Sequence, residues 1–236
     1  MAANHPDYPM WSALLRWSLA QTDGTEERDP ATPMSQEDRD FLTKVMKEVT
    51  VDHAKRIGEC LEAVSGWTAS AKGGDAAASE EACVKALEEI EYFIEDLDFA
   101  RDLCKLGGMA VVLDALDASG GGAVAEAACV LLAAAAQNDP PVQACVAKLK
   151  GLGRLVAVWR GDAGTRRTTL AAISAVVRGN GALEKAFVAS TAAAELIVDA
   201  LAAVRDGDAP DSDTFRVAAK AAFLLDALAT DRAGKG

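Results

Sequence analysis

The sequence predicts an all-α protein: an armadillo-like α-solenoid, a superhelical array of about four repeats behind a flexible N-terminal arm. Three observations predict it. The first is a period. Leu87, Ile90 and Ile94 mark the apolar stripe of one helix, repeated 42 residues on by Cys129, Leu132 and Ala136, and a further 41 on by Leu170, Ile173 and Val177. Val112, Leu113 and Leu116 mark another, matched by Leu155, Val156 and Trp159 at 43 residues and by Ile197, Val198 and Leu201 at 42 more. Loops of variable length between helices of fixed length account for the small differences in offset. A period near 42 carried by helices alone is the mark of armadillo or HEAT-type arrays. The second observation is that valine and isoleucine never alternate with polar residues in runs bounded by turn residues, so strands are not expected. The third is composition. Half the residues are hydrophobic but only 5% are aromatic, and alanine, the best helix former, dominates the apolar share.

A two- or three-helix unit of this length cannot bury its apolar stripe alone. Stacked neighbours close a continuous core, and one face of the stack is left as a long binding groove. The architecture therefore leans towards binding a macromolecule, which the fold alone does not establish.

Taken in order, residues 1–34 are expected to form the arm. Within it, residues 11–20 read as a short helix with Trp11, Leu14, Leu15 and Leu19 on one face and Trp17 off it. Such a short helix is marginal in water and needs a surface to dock on. Gly24, Pro30 and Pro33 break the linker that follows. Residues 35–78 are expected to hold N-terminal helices and a loop leading into the array. Ser35 starts a helix with acids in its first turn, and Phe41, Leu42, Val45, Met46 and Val49 form its buried face. A second helix is expected from Val51 to Val64. The Gly-, Ala- and Ser-rich stretch 65–78 reads as an irregular loop. Residues 79–236 are the repeats. Gly120–Gly122, Asn138–Pro141 and Gly161–Gly164 punctuate them, and Gly108 and Gly151 occupy equivalent tight turns, with Ala193 in the third unit. After the acidic loop 206–213 the last helix, capped by Ser212 or Asp213, aligns Ala222, Leu225 and Ala229 with Leu170, Ile173 and Val177.

Charge and cysteine usage narrow the class. A net charge of −12 argues against nucleic acid or an anionic membrane as partner, since both need a basic footprint. The charge is bipolar: residues 80–99 carry eight acids and one lysine, whereas residues 146–183 carry seven Lys/Arg and only Asp162. Five cysteines form an odd set without a CxxC, which favours free thiols used as small hydrophobes in a reducing compartment. No secretory signal or membrane-length apolar run is visible. The expectation is a cytoplasmic protein, a monomer.

The residues offer little for catalysis. His5 and His53 are the only histidines, and His53 lies seven residues from Cys60, about 10 Å along a helix axis. That is too far for a nucleophile pair. The acids from Glu88 to Asp98 lack calcium-loop spacing, and Gly120–Gly122 lacks the lysine of a phosphate loop. No catalytic, metal or cofactor site is expected. The candidate partner-binding residues are those expected to face the groove from the long helix of each unit. They are Tyr92 and Glu95, then Gln137, then Arg178, with Arg166, Arg167 and Lys220 nearby. The Trp/Asn ladder of nuclear-import armadillo proteins is absent.

Several stretches resemble the armadillo-type nucleotide exchange factors of the 70-kDa heat-shock chaperones, the Fes/HspBP family. LLRWSLAQTDG at 14–24 is similar to that family's N-terminal signature, and FIEDLDFARDLCKLGGM at 93–109 to its helix–loop–helix. AAAQNDPPVQ at 134–143 is similar to its break between helices, and RRTTLAAISAVVR at 166–178 and KAAFLLDAL at 220–228 to its third and fourth long helices. The resemblance implies a co-chaperone that binds the chaperone's ATPase domain in its groove and speeds ADP release, with no cofactor. It further implies that the arm, through Trp11, Leu14, Leu15 and Trp17, assists substrate release. The chain ends before the further C-terminal helices of many such proteins, which implies a shorter clamp. The alternative is an α-solenoid adaptor that binds a protein through the same groove without exchange.

Overall fold

The computed structural model describes residues 36–49, 53–73, 80–94, 97–205, 208–209 and 212–233. The chain divides into two compact units, Met1–Arg56 and Ile57–Gly236. The N-terminal arm, with Trp11, Leu14, Leu15 and Trp17, lies outside the described residues, as does Ser35. In the first unit, α1 runs from Gln36 to Val49 with Phe41 and Leu42 half-buried.

The second unit is an armadillo-like array. Its helices are α2 (His53–Gly73, beginning just before the boundary), α3 (Glu80–Phe93), α4 (Leu97–Lys105) and α5 (Gly108–Ser119). Next come α6 (Gly122–Ala136), α7 (Pro140–Lys148), α8 (Gly151–Gly161) and α9 (Arg166–Val177). The set closes with α10 (Gly181–Ala189), α11 (Thr191–Ala202) and α12 (Asp213–Ala233). No strand occurs among the described residues. The helices fall into triplets α3–α5, α6–α8 and α9–α11, and α12 opens a fourth. Long helices pack side by side in the order α3, α6, α9, α12, and the last helices of each triplet in the order α5, α8, α11.

The core follows the period. Leu87, Ile90 and Ile94, their successors Cys129, Leu132 and Ala136, and then Leu170, Ile173 and Val177 are all buried. Each long helix therefore contributes the same stripe, and one cluster extends from Ile57 to Leu228. Cysteines serve this core as free thiols. Burial pushes the thiols of Cys83 and Cys129 up to about 11 and raises that of Cys104 as well. Since the thiolate is the reactive form, these side chains are inert packing groups.

Four readings of the sequence are corrected. The stretch 65–78 is not a loop throughout, because α2 continues through it to Gly73. Ile57, Cys60, Val64 and Trp67 are all buried at helical spacing, and the Thr68 hydroxyl donates to the Val64 carbonyl at 2.8 Å. Burial of that stripe outweighs the weak propensity of a Gly/Ser-containing run. The third repeat of the α5 stripe is Leu196, Ile197 and Ala200, 41 residues after Leu155, Val156 and Trp159; Val198 and Leu201 are exposed. By the same offset Ala192, rather than Ala193, stands where Gly151 does. Likewise α12 buries Ala221, Leu224 and Leu228, while Ala222, Leu225 and Ala229 face outward. One residue is about 100° around a helix, so a shift of one in register exchanges core for surface.

The turns have specific fixings. Gly108 and Gly151 both open helices at close approaches: a Cβ on Gly108 would lie 2.4 Å from Leu103 Cδ1, and one on Gly151 2.5 Å from Val146 Cγ1. Asp139 caps α7 by accepting from the Val142 N–H at 3.2 Å, and its other oxygen meets Arg101 of α4 at 2.9 Å. Asn180, 41 residues on, caps α10 in the same way. Of the two caps considered for the last helix it is Ser212 that accepts, from Phe215 N–H at 3.3 Å. Much of the basic run 146–183 joins neighbouring repeats. Arg154 of α8 meets Asp114 at 2.8 Å and Asp117 at 3.4 Å on α5, and Arg160 of α8 meets Glu195 on α11.

Asp162 fastens two repeats together. Its carboxylate accepts from the Gly122 N–H at 3.0 Å, at the start of α6, and from the Gly164 N–H at 2.9 Å. Those two amides hold its carboxyl below the ordinary value of 3.8. A group with a lowered folded-state pKa contributes stability that is complete above its ordinary value and lost as pH falls through the folded one. Asp162→Ala is therefore expected to cost on the order of 1 kcal/mol above about pH 5, as loss of a helix cap does. The gap from wild type should narrow in urea titrations as the pH is taken from about 5 to well below 3.8. A gap that stayed constant down to that pH would remove the carboxylate from this role.

Candidate interaction surface

The long-helix row has an outer face set by repeat equivalence. Glu88, Val130 and Ala171 occupy one position of the repeat; Glu91, Ala133 and Ser174 another; Tyr92, Ala134 and Ala175 a third. None of these is in the buried core, because they lie between the core-facing stripes of their helices. The face therefore runs from α3 across α6 and α9 to α12.

Two clefts indent it. Between α6, α9 and α12, Gln137, Ser174, Arg178, Lys220 and Phe223 surround a hollow floored by Leu170, Ala171 and Ala175. Arg178 closes α9 with its backbone N–H bonded to the Ser174 carbonyl at 3.0 Å. Its guanidinium carbon stands 4.6 Å from the centre of the Phe223 ring, a cation–π contact that fixes the charge in place. The Arg178 and Ala175 carbonyls accept from the buried Gln143 Nε2 at 2.8 and 2.9 Å. The end of α9 is thereby pinned to α7. Between α3 and α6 the second cleft is acidic: Glu88, Glu91 and Glu126 stand around Val84, Ala127 and Val130.

The expected partner-binding residues divide accordingly. Gln137, Arg178 and Lys220 meet in one cleft. Tyr92 is 67% exposed on the same face by repeat equivalence, its ring edge-on to Phe93 at 5.8 Å. Glu95 lies outside the described residues. Arg166 and Arg167 are elsewhere, on a cleft between α9, α11 and α12. Arg166 stacks 5.1 Å over Trp159 and donates to its carbonyl at 3.3 Å, while Arg167 reaches Glu126 at 3.6 Å. Both are thus committed to contacts within the array. Phe223, 55% exposed, is the residue that reading the sequence missed. It could have been found as the one aromatic between the core positions Ala221 and Leu224, had the register of α12 been known. Among the described residues no group of three His, Cys, Asp or Glu is placed to hold a metal, and no helix is long and apolar enough to cross a membrane.

Comparison with known proteins gives this surface a context. The family model for the nucleotide exchange factor Fes1 matches residues 12–103. Hsp70-binding protein 1 of Homo sapiens is 30% identical over 167 residues, which is 68% of this chain and 46% of that protein. The family that this chain resembles is that of Fes1 and Hsp70-binding protein 1. The Rattus norvegicus protein of the same name is 29% identical over 167 residues, 68% of this chain and 47% of its own. The chain thus spans about half the length of the curated relatives it matches. No solved structure matches it. The Fes1 match includes α1, α2, α3 and most of α4, so it covers the α3 side of the acidic cleft.

Proposed function

We propose that this protein is a cytoplasmic co-chaperone, a monomer that binds the ATPase domain of a 70-kDa heat-shock chaperone through the long-helix face and accelerates ADP release. The observation that carries this reading is the match of residues 12–103 to the Fes1 exchange-factor model. The exposed face from α3 to α12 supplies a surface of suitable extent. Its mechanism is linkage. A factor that binds the nucleotide-free chaperone more tightly than the ADP-bound one must weaken ADP by the same ratio. A hundredfold weakening requires about 2.8 kcal/mol of differential affinity, which an ordinary protein interface supplies without a catalytic group. The arm, residues 1–34, is assigned the accessory role of helping to clear bound substrate.

The test is stopped-flow release of fluorescent ADP from the chaperone, with and without this protein. Saturable acceleration supports exchange, and deletion of residues 1–34 then assays the arm separately. Binding without acceleration makes the protein an adaptor. Within this reading, Arg178→Glu is expected to weaken chaperone binding about ten- to a hundredfold, the cost of reversing a charge in contact with a partner. Its circular dichroism and melting should stay unchanged because the side chain is exposed. Affinity within twofold of wild type would take Arg178 out of the interface.

A further inference from the structure

The two clefts differ in a way that bears on how anything lies along the face. Several arginines of the array have acidic partners: Arg101 with Asp139, Arg154 with Asp114, Arg160 with Glu195 and Arg167 with Glu126. Arg178 and Lys220 have no such partner among the described residues, although they share one cleft. Arg178 is instead set against an aromatic ring, where part of its hydration is already removed and a carboxylate gains more from meeting it. At the other end, Glu88 and Glu91 likewise lack a basic partner at ion-pair distance among the described residues, and only Glu126 is paired. The floor that runs through both clefts is low, formed by the half-buried alanines 127, 133, 134, 171 and 175 beside the exposed Val130. Small side chains let a backbone approach closely, and nothing in that strip supplies charge.

We propose that this face docks a helix of the partner protein in one direction only, with its basic residues over α3 and α6 and its acidic residues over α9 and α12. The inference deepens the partner-binding part of the proposed function and rests on it for the partner's identity. Neighbouring helices in such a row are roughly 9 Å apart, so the two clefts are within reach of a helix of about 18 residues, roughly 27 Å long. Directionality comes from like-charge repulsion in the reversed pose as well as from attraction in the correct one.

The experiment uses the full chain and labelled 18-residue alanine-based helical peptides followed by fluorescence anisotropy. One peptide has a lysine half and a glutamate half; two controls carry the same number of charges as all lysine or all glutamate. The block peptide is expected to bind at least tenfold more tightly than either control. Arg178→Glu with Lys220→Glu, and separately Glu88→Lys with Glu91→Lys, should each weaken it at least tenfold; all four together should restore it with the peptide reversed. A nitroxide at the lysine end should broaden amide signals near Ala127 in the wild type and near Ala175 in the fourfold variant. All four side chains project from the core, and neutral glutamine variants repeat the test without added repulsion. Equal affinity for the three peptides, changes within twofold in the variants, or unchanged broadening would overturn the dock. ADP release is not read in this assay, so its outcome is separable from that of exchange. A chain that fails to accelerate release yet binds the block peptide directionally keeps the dock. Exchange that survives loss of both charge clusters keeps the function without it.

Discussion

Aspartate in place of Leu132 is expected to abolish the cooperative folding of residues 57–236. Leu132 is fully buried in α6, which is flanked by α3 and α9 in the long-helix row and also packs on α5. An ionised carboxylate there has no partner, and such a charge costs many kcal/mol or else takes up a proton. A domain stable by about 5 to 15 kcal/mol does not absorb that. The position also matters because an array is held by couplings between neighbours, and α6 takes part in those on both sides. Leu132→Ala, which removes volume without adding charge, should cost about 2 to 5 kcal/mol and leave a cooperative transition. Far-ultraviolet circular dichroism with urea titration distinguishes the two. A native spectrum with a melt within a few degrees of wild type in Leu132→Asp would show that the α6 stripe is not the core of the array.

The pair Leu224→Asp and Leu225→Asp should give opposite results from adjacent positions. Leu224 is fully buried, whereas Leu225 is 48% exposed. Leu224→Asp is expected to detach α12 from α9 and α11, with loss of that helix's share of the ellipticity and several kcal/mol of stability. Leu225→Asp should remain within about 0.5 kcal/mol of wild type, as surface substitutions do. Limited proteolysis within α12 itself, residues 213–233, reads the same difference, since a packed helix is protected and a released one is cut. Equal tolerance at both positions would reject the register described for this helix.

That pair also marks where the sequence stopped being sufficient. The stripes of α3, α6 and α9 were legible because each recurs with the same side-chain chemistry and all nine positions are buried. At α11 and α12 the recurrence was placed one residue late. Ile197 and Val198 are both apolar, as are Leu224 and Leu225, so hydropathy does not choose between registers. The choice is made by which side of the helix its neighbours touch. The helical end of α2 was hidden by a related weakness: Gly66, Ser65 and Ser70 read as a loop until Trp67 is seen to lie in the core.

The candidate surface divides along the same line. Gln137 and Arg178 were legible as neighbours because each follows a long helix at an equivalent repeat position; Lys220 lies inside α12 at no equivalent position, and only packing brings it to their cleft. Arg166 and Arg167 share the same charge, and only packing shows that Trp159 and Glu126 already engage them. Phe223 was invisible as a surface residue while α12 was misregistered. By itself the sequence determined that this is an all-helical repeat protein and which face of α3, α6 and α9 is core, because burial imposes a period on apolar residues. Tertiary structure alone decided the rotation of α11 and α12, and which charges are left unpaired on the surface. Both depend on contacts between residues some 40 positions apart, and local pattern does not encode them.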